Sequence, residues 1–76
     1  MSQIKRKKLY EEVMAGIVEM IKREKLNAGD KLQGEKELAG MFGVSRMVIR
    51  ESLSALQSTG MIQVKHGSGI YVGEIN

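Results

Sequence analysis

Three residues, Gly43-Val44-Ser45, separate two segments that each carry apolar side chains at helical spacing. Gly43 tolerates the left-handed conformation that stops a helix abruptly, and Ser45 is a strong N-cap for the next one. Two helices joined so tightly must cross at a sharp angle. The first is expected over residues 35–42, with Leu38, Met41 and Phe42 on one face. Glu35 and Glu37 lie in its first turn, where the helix dipole favours negative charge. Val44 is expected to plug the core from within the turn. The second helix runs to about Ser58, ahead of Gly60, with Ile49, Ser52, Leu53 and Leu56 on one face. A rotation of 100° per residue puts Arg46, Arg50, Ser54 and Gln57 on an adjoining polar face, with Met47 at its edge.

The segments on either side complete an architecture. Upstream, Tyr10, Val13, Met14, Ile17 and Ile21 share one helix face opposite Glu12, Glu19, Lys22 and Arg23, which predicts a helix from about Lys8 to Lys25. Asn27-Ala28-Gly29-Asp30 reads as a turn, and Lys31-Leu32 as a very short strand. Downstream the period changes: Ile62 and Val64 alternate with Gln63 and Lys65, His66-Gly67-Ser68-Gly69 makes a turn, and Ile70-Tyr71-Val72 is a second strand. Helix, short strand, short helix, tight turn, helix, hairpin is the order of a winged helix-turn-helix: an α+β, mainly helical fold of three helices and a C-terminal β-hairpin wing. In that architecture the third helix lies in a DNA major groove with its N-terminal residues toward base edges. Arg46 and Arg50 stand one turn apart where forked donors would meet guanine O6 and N7.

Composition narrows the function further. At 76 residues the chain is one domain with a thin core and no room for a large catalytic cleft. With no Cys and one His, disulfides, thiolate metal sites and multi-histidine sites are excluded, and no cofactor is called for. No apolar run reaches the roughly 20 residues of a membrane span, and Met1 to Lys8 lacks the apolar core of a signal peptide, so a cytoplasmic location is expected and no membrane partner. Gly67-Ser68-Gly69 is followed by a strand pattern where a nucleophile elbow needs a helix, and Gly29 to Lys36 lacks a P-loop ending, so no enzyme is expected. The net charge of +3 is uneven. Lys5, Arg6, Lys7 and Lys8 form a basic N-terminal arm over residues 1–8, while the remaining eight lysines and arginines face nine acids in the domain body over residues 9–76. Affinity for a polyanion must come from the arm and a few well-placed cations.

From Tyr10 onward the chain resembles the DNA-binding domain of the GntR family of bacterial transcription regulators. The resemblance rests on Leu32-Gln33-Gly34-Glu35-Lys36-Glu37-Leu38-Ala39, on Phe42-Gly43-Val44-Ser45-Arg46, on Ile49-Arg50-Glu51-Ser52-Leu53, and on Leu56, Gly60, His66-Gly67-Ser68-Gly69 and Ile70-Tyr71-Val72. The Ile49-Arg50-Glu51 segment and the His-Gly wing look most like the FadR-like subgroup.

The resemblance implies sequence-specific binding of double-stranded DNA, at a palindromic operator, by a metabolite-responsive regulator that is more often a repressor. It implies DNA contacts by Lys36, Ser45, Arg46, Met47, Val48 and Arg50, with His66 and Gly67 at the wing tip reaching into the minor groove. Three departures from the family pattern stand out. Lys36 replaces an Arg and loses its fork, Gly34 replaces a capping Ser or Thr, and Met47 and Val48 stand where small polar residues are frequent, so readout there would be apolar, against a thymine methyl. A small-molecule effector and a stable homodimer would belong to a C-terminal domain beyond this chain. The fragment itself is expected to be mainly monomeric. The alternative is a winged helix used for protein–protein interaction, favoured by the apolar Met47 and Val48 and opposed by Arg46, Arg50, Ser54 and Gln57.

Overall fold

The computed structural model describes the backbone of residues 2–74 and the side chains of residues 8–74. Its elements are α1 (Ser2–Arg23), β1 (Lys31–Leu32), α2 (Glu35–Phe42), α3 (Arg46–Ser58), β2 (Ile62–Lys65) and β3 (Gly69–Val72). Helix α1 begins well before the expected Lys8, so the backbone of the basic arm continues the helix. The side chains of Lys5, Arg6 and Lys7 lie outside the described residues, and Lys8 is exposed. Helix α1 also stops two residues early. Lys25 adopts a left-handed φ of 54°, and the Leu26 N–H donates to the Ile21 carbonyl at 3.0 Å. This is the closure that glycine usually supplies. Here it turns Leu26 back against the core.

The tight corner forms as its residues dictate. Gly43 is left-handed at φ 67°, ψ 36°, and the Val44 N–H donates to the Ala39 carbonyl at 3.1 Å. Ser45 is extended, and its Oγ accepts from the Val48 N–H at 3.2 Å. Val44 is half-buried against the core. At the start of α2, Gly34 offers no side chain, and the reverse half of a capping box stands in: Glu37 Oε1 accepts from the Gly34 N–H at 3.2 Å.

The core gathers Val13, Ile17, Met20 and Ile21 of α1, Leu38 of α2, Val48, Ile49, Leu53 and Leu56 of α3, and Leu32, Ile62 and Ile70 of the strands. The apolar face expected for α3 is buried throughout, including Ser52, whose hydroxyl lies 2.8 Å from the Val48 carbonyl and 3.1 Å from the Tyr10 carbonyl of α1. That hydroxyl stitches α3 to α1 with no orphaned polar atom. The stripe on α1 is rotated slightly from expectation, with Met20 buried and Tyr10 and Met14 only half-buried. On α2, Met41 is exposed at 54%, because α2 is short and only Leu38 points straight inward. Phe42 packs over α1 in the space left by Gly16.

The three strands form one antiparallel sheet in the order β1-β3-β2. Lys31 pairs with Tyr71 and Leu32 with Ile70, while Ile62 pairs with Val72 and Lys65 with Gly69. The wing is therefore a hairpin whose inner strand is also anchored to the turn after α1: the Gly29 N–H donates to the Val72 carbonyl at 2.9 Å and the Val72 N–H to the Asp30 carbonyl at 2.8 Å. Ile62 is buried but Val64, on the same strand, is exposed, because β2 runs past the end of the core. The Val64 N–H is taken up by Gln57 Oε1 of α3 at 2.7 Å.

Two consequences for stability follow. Leu53→Ala removes a buried side chain at 4% exposure and is expected to cost about 2–5 kcal/mol, read as a lower thermal midpoint; an unchanged midpoint would place Leu53 on the surface. Gly73 and Gly40 should respond oppositely to alanine. A Cβ at Gly73 would collide with the Gly60 carbonyl, where the Gly73 N–H also donates to the Met61 carbonyl at 2.8 Å, so Gly73→Ala should destabilise by about 1–3 kcal/mol. A Cβ at Gly40, inside α2, meets nothing within 4 Å, so Gly40→Ala should stabilise by about 0.5–1 kcal/mol. Denaturant midpoints of the two variants test both signs.

Candidate nucleic-acid interface

The outward end of α3 is built on the turn that precedes it. Because Ser45 caps the helix with its own hydroxyl, Arg46 and Arg50 leave the first turns of α3 on the same side, with side chains 61% and 68% exposed. Neither stands alone. Arg46 Nε donates to Glu35 Oε1 at 3.2 Å, and Arg50 Nε donates to Glu35 Oε2 at 2.9 Å. One carboxylate, one-quarter exposed and carried by the first turn of α2, thus bridges both arginines across the helix-turn-helix corner. Each bond to Glu35 uses the Nε atom, which leaves the terminal amino groups of both guanidinium forks as donors for another acceptor.

The hydrogen bond from Arg50 is the main cause holding the Glu35 carboxyl below its ordinary range. Partial burial opposes it, and the positive charge of Arg50, the hydrogen bond from Arg46 and the charge of Arg46 reinforce it. Sequence reasoning assigned Glu35 to the helix dipole alone and did not pair it with the arginines. The legible signal was an acid at the start of α2, just across a tight corner from two arginines spaced by four.

The other expected contact residues fall in different places. Lys36 is exposed beside Glu35, and Ser45 is exposed at the corner. Met47 projects from α3 at 58% exposure. Val48 requires a correction: it is only 6% exposed and packs in the core, because the residue three past the cap turns inward with Ser52. Its side chain is turned away from the surface on which Met47 stands exposed.

At the wing tip His66 and Gly67 are exposed, and Gly67 is left-handed at φ 74°. The Ser68 N–H closes the turn onto the Lys65 carbonyl at 3.0 Å. The tip is braced by contacts that the sequence reading did not anticipate. Ser68 Oγ lies 2.6 Å from the Tyr71 hydroxyl, and Lys65 Nζ sits 5.0 Å from the centre of the Tyr71 ring, a cation–π arrangement. Between α3 and the wing runs a shallow groove lined by Glu35, Arg50, Ser54, Gln57, Val64 and His66. It brings Arg50 of α3 and His66 of the wing to a common surface. Among the described residues no group of three or more His, Cys, Asp or Glu is placed to hold a metal ion, and no helix is long and apolar enough to cross a membrane.

The bridge sets a pH dependence. A carboxyl held below its unfolded value stabilises the fold above the unfolded carboxylate range, and that share is lost as pH falls through the lowered value. Exposed pairs are worth about 0.2–1 kcal/mol each. Glu35→Gln should therefore lower the thermal midpoint modestly at neutral pH, and the gap to the parent chain should close on acidification. A gap that persists unchanged to about pH 2, where carboxylates are protonated, would show that the bridge contributes no charge-dependent stability.

Comparison with known proteins places this geometry. The model of the gntR family of bacterial regulatory proteins matches residues 9–72. The Uxu operon transcriptional regulator of Escherichia coli (strain K12) is 43% identical over 63 residues, which is 83% of this chain and 24% of that protein. The HTH-type transcriptional repressor NanR of Citrobacter rodentium is 40% identical over 62 residues, 82% of this chain and 24% of that protein. The chain thus spans about a quarter of the length of these curated relatives. Among solved structures, the possible transcriptional regulator YydK from Bacillus subtilis superposes with a TM-score of 0.84 at 34% identity, covering 88% of this chain and 29% of that one. The DNA-binding domain of AraR, solved in complex with operator ORX1, superposes with a TM-score of 0.78 at 34% identity, covering 84% and 77%. With its winged helix-turn-helix fold and a family match that runs from the first helix to the end of the wing, the chain belongs to the gntR family of bacterial regulatory proteins.

Proposed function

We propose that the chain binds double-stranded DNA sequence-specifically, as the reading domain of a bacterial transcription regulator. The observation that carries this reading is the pair of arginines at the open end of α3, both exposed and both held through Nε by Glu35. Two oriented forks one helical turn apart suit the major-groove edges of guanines. Ser45 and the backbone at the start of α3 are suited to a phosphate, Lys36 adds a point charge beside them, and Met47 offers an apolar contact to a thymine methyl. His66 and Gly67 on the braced wing are assigned to the minor groove. The AraR DNA-binding domain, similar in fold, was solved in complex with an operator, which supports a DNA-binding role for this chain.

The body of the domain carries little excess charge, so affinity rests on a small number of cations. Lys5, Arg6, Lys7 and Lys8 are assigned to phosphate contacts that set affinity without carrying base information. The relatives are transcriptional regulators, NanR among them a repressor, and no catalytic role is assigned to this chain. Repression, response to a small molecule and pairing of two copies on a palindromic site are assigned to the whole regulator, in the cytoplasm. There, linkage of two reading domains raises avidity by about 10²–10⁴ over single copies.

Arg46→Ala and Arg50→Ala should each weaken binding to a preferred duplex by about 1–3 kcal/mol and broaden base preference. Titrations at equal salt check this, and unchanged affinity and preference in both variants would remove α3 as the reading helix. Binding that is insensitive to salt would instead favour an apolar protein interface through Met47, since phosphate contacts give a steep salt dependence.

A further inference from the structure

We infer that Glu35 sets the sequence specificity of this domain as a positioning residue: its single carboxylate holds Arg46 and Arg50 by their Nε atoms, fixing the direction of both guanidinium forks and withholding them from stray phosphates. The inference rests on the DNA-binding reading above.

Three observations carry it. The first is the sharing. Glu35 Oε1 takes Arg46 and Oε2 takes Arg50, at 3.2 and 2.9 Å, so both oxygens are engaged by Nε and neither bond occupies a terminal amino group. An arginine held at Nε keeps the outer edge of its fork for a base, and the plane of that fork is set before DNA arrives. Immobilising a long side chain on binding costs affinity, and a chain ordered beforehand avoids that cost.

The second is the rigidity of the support. Glu35 is only one-quarter exposed although both arginines are mostly exposed. It sits in the first turn of α2, and its carboxylate is favoured by the helix dipole there. The carboxylate is the fixed member of the trio, and the arginines are referred to it.

The third is charge. Two guanidinium groups and one carboxylate leave a net single positive charge at the reading end of α3. Long flexible cations without a partner follow the phosphate backbone, which is the same for every sequence. A partner acid weakens that sequence-independent attraction more than it weakens a base contact whose geometry it sets. Discrimination is a difference of affinities, and Glu35 acts on both sides of it.

The test uses this chain and a pool of randomised duplexes. The parent chain selects a preferred sequence from the pool. The parent, Glu35→Gln and Glu35→Asp are then titrated against that duplex and a scrambled one across a range of salt, with thermal melts to verify folding. Glutamine keeps one acceptor oxygen and no charge; aspartate keeps the charge but is too short to reach both arginines. Glu35→Gln should lower the ratio of preferred to scrambled affinity by about ten- to a hundred-fold. It should also bind scrambled duplex more tightly, with a log–log salt slope steeper by about 0.9. Glu35→Asp should lose part of the ratio, and it carries the test if the glutamine variant fails to fold. In an Arg46→Ala/Arg50→Ala background Glu35→Gln should change the ratio no further.

An unchanged ratio in both Glu35 variants overturns the inference. So does a loss of preference confined to a single cytosine, which would make Glu35 a direct reader of that base. A parent chain that selects no sequence from the pool overturns the DNA-binding reading itself, and the inference with it; a parent that selects a sequence which its Glu35 variants read equally well overturns the inference alone.

Discussion

The inner face of α3 packed against α1 is the contact on which the remainder of the molecule is assembled. The core cluster takes Ile49, Leu53 and Leu56 from α3 and Val13, Ile17 and Ile21 from α1, and the Ser52 hydroxyl reaches the Tyr10 carbonyl between the two helices. Among the described residues the buried apolar side chains form a single cluster, so a loose fit there has little else to compensate for it. The rotation of α3 about its axis is fixed by this burial, and with it the direction in which Arg46 and Arg50 leave the helix. A few degrees of slack at Ser52 would become a larger displacement at the end of an arginine. The polar contact in the core and the charged pair on the surface are therefore parts of one alignment.

The corner between α2 and α3 provides the second reference. The left-handed Gly43 and the Ser45 cap bring the start of α2 alongside the start of α3, and Glu35 closes the gap with two hydrogen bonds. The arginines are consequently aligned from two directions: from below by their own helix and from the side by the neighbouring one. The wing supplies a third edge, braced by Tyr71 beneath Lys65 and beside Ser68.

Much of this could be read from residues alone, for reasons that are local. The bounds of α2 and α3, the role of Ser45 and the burial of Ser52 follow from capping chemistry and a 100° rotation, both of which act within a few residues. The misplaced features depend on distant partners. Met41 has the spacing of a core residue, but α2 is too short to cover it. Val64 alternates correctly with Gln63, but its strand outruns the core. Val48 is the exception: family resemblance assigned it to the reading surface, although its place one turn before the buried Ser52, a local signal, turns it inward. Lys25 takes a conformation typical of glycine because Leu26 has a core to return to. The pairing of one glutamate with two arginines was legible only as a possibility of spacing, since it requires the crossing of two helices to be known.

The placement of β1 has a bearing on how the wing behaves as a mechanical part. Strand β3 lies in the middle of the sheet, with its hairpin partner β2 on one side and the two-residue β1 on the other. The Lys31–Tyr71 pairing closes a loop of about forty residues that contains both α2 and α3. Such a contact, made across a long stretch of sequence, raises the contact order of an otherwise local fold. Once formed, it joins the wing to the cooperative unit of the helices instead of leaving it as an appended flap with its own melting behaviour. A wing fastened in this way transmits force: a load applied to its tip is carried through β3 to the turn after α1, and so to the helix against which α3 is set.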